Sequence, residues 1–192
     1  MTGKAEKPLK EEIVRKALDL AAQRGWDRLT LADIATYCGL SLAQLHDYFE
    51  DKTDILTSLG RIIDRIVLEN IAPPEPDISS RDRLFDILME RYEALGPYRA
   101  GIVSVLNSFR LDPKQMVIAL PHLCRSMTWM LEAAAIDTTG IGGAVKVSGL
   151  TAIYIKALCT WMKDESADLS KTMASLDRDL TRAEKIAGTF GF

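Results

Sequence analysis

Apolar residues recur at helical spacing along almost the whole chain. Nowhere do β-branched residues alternate in period two over a useful length, so the pattern predicts an all-α protein. Ile13, Ala17, Leu20 and Ala21 share one face of a first helix, Leu9 to Arg24, which Gly25 ends. Thr30 opens a short helix with Asp33 three places on, and Ser41 opens another with Gln44 three places on; each spacing is that of a capping box. Between them Cys38-Gly39-Leu40 forms a tight turn, with Gly39 suited to left-handed backbone. Asp51 or Thr53 begins a long helix to about Asn70.

Proline and glycine punctuate the rest. "APPEPD" (72–77) cannot continue a helix, because proline lacks the amide and clashes with the preceding turn, so a linker is expected there. Ser79 or Ser80 caps a helix to Leu95, Gly96-Pro97 breaks the chain, and another helix runs to about Arg110. Asp112-Pro113 opens the next, to Ala135, with Pro121 expected to kink or split it. "DTTGIGG" (137–143) reads as a loop between helices, followed by helices at about 144–163 and 168–188.

Composition narrows the class. At 192 residues with 47% hydrophobic residues the chain suits one medium domain or a small domain joined to a larger one. The net charge of −3 argues against a surface coated in nucleic acid, though a local basic patch is compatible with it. Three scattered cysteines (Cys38, Cys124, Cys159), two histidines and no CxxC argue against a disulfide framework or a zinc site; three buried thiols are expected. The N-terminus has no apolar signal core, and the longest apolar run, around Val145 to Met162, is interrupted by Lys146 and Lys156. A soluble cytoplasmic protein is expected. No nucleophile and base arrangement, GxSxG or phosphate loop is present, so no enzyme and no cofactor is expected; paired acids such as Asp164-Glu165 and Asp177 to Asp179 read as solvated faces or helix-start partners.

The two short helices and their glycine turn, behind a third helix, make a helix-turn-helix. Leu31, Ile34, Ala35, Leu40, Leu45 and Phe49 would face inward. Drawn as one continuous helix, residues 42–49 place Leu42, Leu45 and Phe49 toward the core and Asp47 opposite, flanked by Ala43 and Gln44, with His46 and Tyr48 on the shoulders. Gln44 can pair with adenine in both directions and Ala43 can meet a thymine methyl. Thr30, Tyr48 and Lys52 are candidate phosphate contacts, and Lys4, Lys7 and Lys10 a candidate basic arm. Residues 1–57 nonetheless carry eight basic and ten acidic side chains, a net −2, which is a poor electrostatic start for phosphate binding.

"LTLADIATYCGLSLAQLHDYFEDKTDIL" resembles the N-terminal domain of TetR-type transcriptional regulators through "DIA" (33–35), Gly39, Ser41, Leu45, "YF" (48–49), Lys52 and Ile55-Leu56. The resemblance implies a TetR-like fold: a three-helix helix-turn-helix domain over 1–57 and a helical ligand-binding and dimerisation domain over 58–192. It further implies a homodimer on a double-stranded DNA operator, released by a small ligand, since half-sites one helical turn apart tolerate little change in spacing. Leu42, His46 and Asp47 depart from the family's common residues.

In the second domain, Leu169, Met173, Leu176, Leu180, Ala183 and Ala187 are spaced as an apolar seam, behind a helix that is apolar nearly all round. Homodimerisation through the last two helices (about 144–188) is expected, an intrachain core being the alternative. Tyr92, Tyr98, Phe109, Met116, Met127, Trp129 and Met130 are large soft side chains; Tyr92, Phe109, Met127, Trp129 and Met130 are the candidate lining for an apolar or lipid-like small molecule, with ordinary core as the alternative. The last seventy residues also resemble the lipid-binding proteins of ubiquinone biosynthesis that share the TetR fold, through Asp164, Ser166, Asp168, Thr172, Leu176 and Asp177. That resemblance implies a lipid- or isoprenoid-binding accessory protein that no longer binds DNA.

Overall fold

The structure is a computed structural model that describes residues 3–73, 77–111 and 113–190; the side chains of 3–8, 110, 111, 113 and 186–190 lie outside the description. The expected linker residues 74–76, Asp112 and the side chains of Lys4, Lys7 and Ala187 therefore lie outside it. Every regular element among the described residues is helical: α1 (Gly3–Arg24), α2 (Leu31–Cys38), α3 (Leu42–His46), α4 (Lys52–Asn70), α5 (Ser80–Leu95), α6 (Arg99–Leu111), α7 (Pro113–Ala133), α8 (Gly140–Trp161) and α9 (Ser170–Phe190), with 3-10 turns at Trp26–Arg28 and Gly96–Tyr98.

The chain forms two compact units. The first comprises residues 1–62 and 96–122, the second residues 63–95 and 123–192, so the first holds more than the 1–57 segment. In the first unit Ile13, Val14, Ala17, Leu18 and Ala21 of α1 are buried with Trp26, Ile34, Ala35, Leu45, Phe49 and Ile55. Helix α6 closes this core by packing along α1. The fit is tight: a β-carbon on Gly101 would lie 2.5 Å from the Leu18 carbonyl oxygen. The Trp26 amide donates to Ser104 Oγ at 2.9 Å, which ties the turn after α1 to α6.

In the second unit α5, α8 and α9 pack on one another around Leu84, Ile87, Leu88, Tyr92, Leu150, Tyr154, Ala157, Trp161, Leu176 and Leu180. Arg81 of α5 pairs with Asp177 of α9, and Lys156 of α8 with the buried Asp179 at 2.7 Å.

Three boundaries differ from the sequence reading, the first being that α1 starts at Gly3 rather than Leu9. α7 runs unbroken through Pro121. "GIGG" is the first turn of α8 rather than a loop, because Gly140 can take φ +63° and Gly143 lies so close to Thr138 that a β-carbon would overlap its carbonyl. By length and composition alone α8 could cross a membrane, but Leu150, Tyr154, Ala157 and Trp161 put one of its sides in the core of this unit.

Candidate nucleic-acid interface

Consecutive helix starts build this region. Thr30 Oγ1 accepts from the Asp33 amide at 3.1 Å while Asp33 Oδ2 accepts from the Thr30 amide at 2.9 Å. Gly39 then turns the chain at φ +74°, and its amide and that of Leu40 close α2 onto Thr36 and Ala35. Ser41 Oγ accepts from the Gln44 amide at 3.2 Å, and Gln44 Oε1 accepts from the Ser41 amide at 2.9 Å. Both capping boxes expected from the sequence are thus in place. A third cap follows, where Asp51 Oδ1 accepts from the Asp54 amide at 2.7 Å and Asp54 Oδ2 from the Glu50 amide at 3.3 Å.

Three of the ten acidic residues in 1–57 act as caps. Asp33, Asp51 and Asp54 accept backbone N–H groups at helix starts, where negative charge is stabilising. The side chain and amide of Thr30 hold the Asp33 carboxyl below its usual range. Only Asp47 and Glu50, both exposed, are left of the acidic run that follows α3.

Ala43, Gln44, His46 and Asp47 are all exposed on and just after α3, with Thr30 exposed ahead of α2 and Tyr48 half-buried. Two expectations change. Gln44 is already engaged, because its Oε1 accepts from the Ser41 amide; one lone pair and both amide hydrogens remain for a base edge. Leu42 does not face the core: it is 55% exposed. The rest of the wheel holds, since the amides of Asp47 and Phe49 still bond to the carbonyls of Ala43 and Leu45 and Phe49 is buried; Leu42 departs because a side chain in the first helical position leans out past the N-terminal end.

Lys52 is not presented as a free phosphate contact. Its ammonium donates to the carbonyl of Trp26 and, at 2.8 Å, to that of Leu29, and sits 4.7 Å above the Trp26 ring. Burial lowers its pKa, and Asp27 partly offsets that. Among the other cations, Lys10 covers the Phe49 ring at 4.8 Å, Lys16 pairs with Glu12 at 3.0 Å and Arg15 with Asp19 at 3.2 Å, while Arg24 and Arg28 are mostly exposed.

The second candidate site is not assembled as expected. Phe109 belongs to the first unit and Tyr92, Met127, Trp129 and Met130 to the second. Tyr92, Met127 and Met130 are fully buried core, while Trp129 is 57% exposed and Met116 is also exposed. An open groove of about 230 Å³ lies elsewhere in this unit, lined among others by Asn70, Ile78, Arg83, Asp86 and Glu90.

Sequence reasoning missed the polar heart of this unit. Arg91 is buried, pairs with Asp64, and donates through Nε to the Tyr154 hydroxyl at 3.2 Å. Asp64 also accepts from Ser126 Oγ at 2.6 Å. The Tyr92 hydroxyl donates to the Tyr154 carbonyl at 2.9 Å, with the two rings stacked 5.2 Å apart. Burial works against the Arg91 charge, but the Tyr154 oxygen and Asp64 outweigh it and raise its pKa. No residue spacing announces such a network, because its members come from four helices.

The expected dimer seam is divided. Leu176 and Leu180 belong to the intrachain core, whereas Met173 is 40% exposed; on α8, Ile141 and Val145 are 86% and 52% exposed. Four of the residues carrying the second resemblance, Asp164, Ser166, Asp168 and Thr172, serve the start of α9, while Leu176 is core and Asp177 pairs with Arg81. Buried Asp164 accepts from the Thr172 amide and hydroxyl, both at 2.8 Å, and from Ser166, so it is not on a solvated face. Asp168 accepts from the Ser170 amide at 3.2 Å. Of the thiols, Cys38 and Cys124 are half-buried and Cys159 is exposed, against the expectation of three buried ones. Among the described residues no group of three or more His, Cys, Asp or Glu could hold a metal ion.

Residues 13–59 match the family of bacterial regulatory proteins of the tetR type. A TetR transcriptional regulator from Nitrosomonas europaea ATCC 19718 shares the fold with a TM-score of 0.73 and 27% identity, over 92% of this chain and 98% of that one. A TetR transcriptional regulator from Rhodococcus sp. RHA1 is similar with a TM-score of 0.62 and 16% identity, over 92% and 96%. Among curated proteins no sequence matches the chain. The chain thus carries a TetR-type helix-turn-helix within a TetR-like, all-helical fold.

Proposed function

We propose that the protein is a cytoplasmic, ligand-responsive repressor that binds an operator as a homodimer. The observation that carries this reading is the intact helix-turn-helix, with both capping boxes formed and Ala43, Gln44, His46 and Asp47 exposed together at α3. The similarity to two TetR transcriptional regulators supports it. Dimerisation through α8 and α9 would cover Ile141, Val145 and Met173, and the ligand would be apolar or amphipathic, held among the helices of residues 58–192. Fluorescence anisotropy with fragments from upstream of the protein's own gene, at low and near-physiological salt, tests the DNA reading. Preference for one fragment over a scrambled duplex, weakening with salt, is expected; failure to bind even random-sequence DNA at low salt refutes it.

The second reading is a lipid- or isoprenoid-binding accessory protein without DNA affinity. Engagement of the Lys52 ammonium inside the fold favours it, since that removes a phosphate contact. Organic extraction of the purified protein decides its ligand: an isoprenoid in the extract, together with absent DNA binding, would establish it.

A further inference from the structure

Leu42 is the residue whose placement the sequence does least to explain. It opens α3 beside Ala43, and it is 55% exposed although Leu45 and Phe49 supply the inward contacts of the same segment and are buried. A single exposed leucine is ordinary on a protein surface. This one stands in the first turn of the helix that, under the proposed function, enters the major groove with its N-terminal residues toward the base edges. Its polar neighbour is partly engaged: Gln44 Oε1 already accepts from the Ser41 amide in the capping box, which takes one of its two lone pairs. The leading end of the helix therefore offers an apolar pair, Leu42 and Ala43, where the major groove displays only one apolar group, the 5-methyl of thymine.

We propose that Leu42 is a specificity-determining residue that selects thymine by packing on its 5-methyl group. The inference rests on the DNA-binding reading and deepens it. Removing one methyl from such a contact weakens binding about fourfold, from the usual transfer free energy of a buried methyl-sized group.

The test starts from a randomised duplex library selected on the full-length protein. Each thymine of the selected duplex is then replaced in turn by deoxyuridine, which removes the methyl and leaves every hydrogen-bonding group. The wild-type protein is expected to lose about fourfold at one position in each half-site. Leu42→Ala should bind the thymine duplex more weakly and lose discrimination between thymine and uracil at that position, with its melting temperature unchanged because the side chain is exposed. Leu42→Met, which keeps an apolar side chain of similar volume at the same place, should retain the discrimination. Wild-type indifference to every replacement, or discrimination persisting in Leu42→Ala, overturns the inference while leaving DNA binding intact. Failure of the library to yield any bound duplex overturns the DNA-binding reading, and this inference with it.

Discussion

Lys52→Met separates two roles for one residue. Methionine keeps an apolar stem over Trp26 and removes only the ammonium. That ammonium makes two charge-assisted hydrogen bonds, to the carbonyls of Trp26 and Leu29, and lies over the indole ring at 4.7 Å. A hydrogen bond to a charged group contributes roughly 1.5–3 kcal/mol. The Trp26 carbonyl keeps a long contact from the Leu29 amide at 3.4 Å, so the loss is smaller than two full bonds. A net destabilisation of about 2–3 kcal/mol follows, which for a chain of this size lowers Tm by about 4–12 °C. Circular dichroism melting of wild type and Lys52→Met is the assay. A surface lysine held in reserve for phosphate would instead leave stability within about 0.5 kcal/mol. A Tm within about 2 °C of wild type therefore refutes the clamp. The salt dependence of DNA binding gives an independent check. As a clamp Lys52 leaves the slope unchanged, whereas loss of a phosphate contact reduces it by about one.

Gly101→Ala should destabilise the first unit by about 1–3 kcal/mol in a denaturant titration, since the new β-carbon meets the Leu18 carbonyl oxygen at 2.5 Å and its β-carbon at 2.7 Å. Arg91→Met and Asp64→Ala should each cost about 3–5 kcal/mol by stranding a buried partner, and the double variant should cost less than their sum; additive losses would show that the pair is not coupled. Burial opposes ionisation of Asp164, but hydrogen bonds from Ser166 and Thr172 outweigh it and hold its pKa well below the usual carboxylate range. Its contribution is thus complete above an unfolded-state pKa of about 3.9 and is lost as pH falls through that region toward the folded value. Asp164→Asn should therefore be less stable than wild type at pH 7 and show a flatter fall of Tm below about pH 4.

The helix-turn-helix was legible because its signals are local. A capping box is a three-residue spacing, a left-handed turn needs a glycine, and a proline run ends a helix; each is decided by covalent geometry and by hydrogen bonds between near neighbours. Thr30, Gly39 and Ser41 therefore announced themselves, and so did the exposure of Ala43, Gln44, His46 and Asp47. What the sequence could not decide was which atoms those residues had left to offer. Gln44 commits one carbonyl lone pair to its own cap, and Lys52 spends its charge on carbonyls more than twenty residues earlier in the chain. Leu42 faces solvent because, as the first residue of α3, its side chain leans out past the helix's N-terminal end. The Asp64–Arg91–Tyr154 network, the Gly101–Leu18 contact and the assignment of 96–122 to the first unit lie beyond sequence reading for the same reason. Each is a meeting of side chains or backbones far apart in the chain, and only tertiary packing brings such groups within hydrogen-bonding or van der Waals distance.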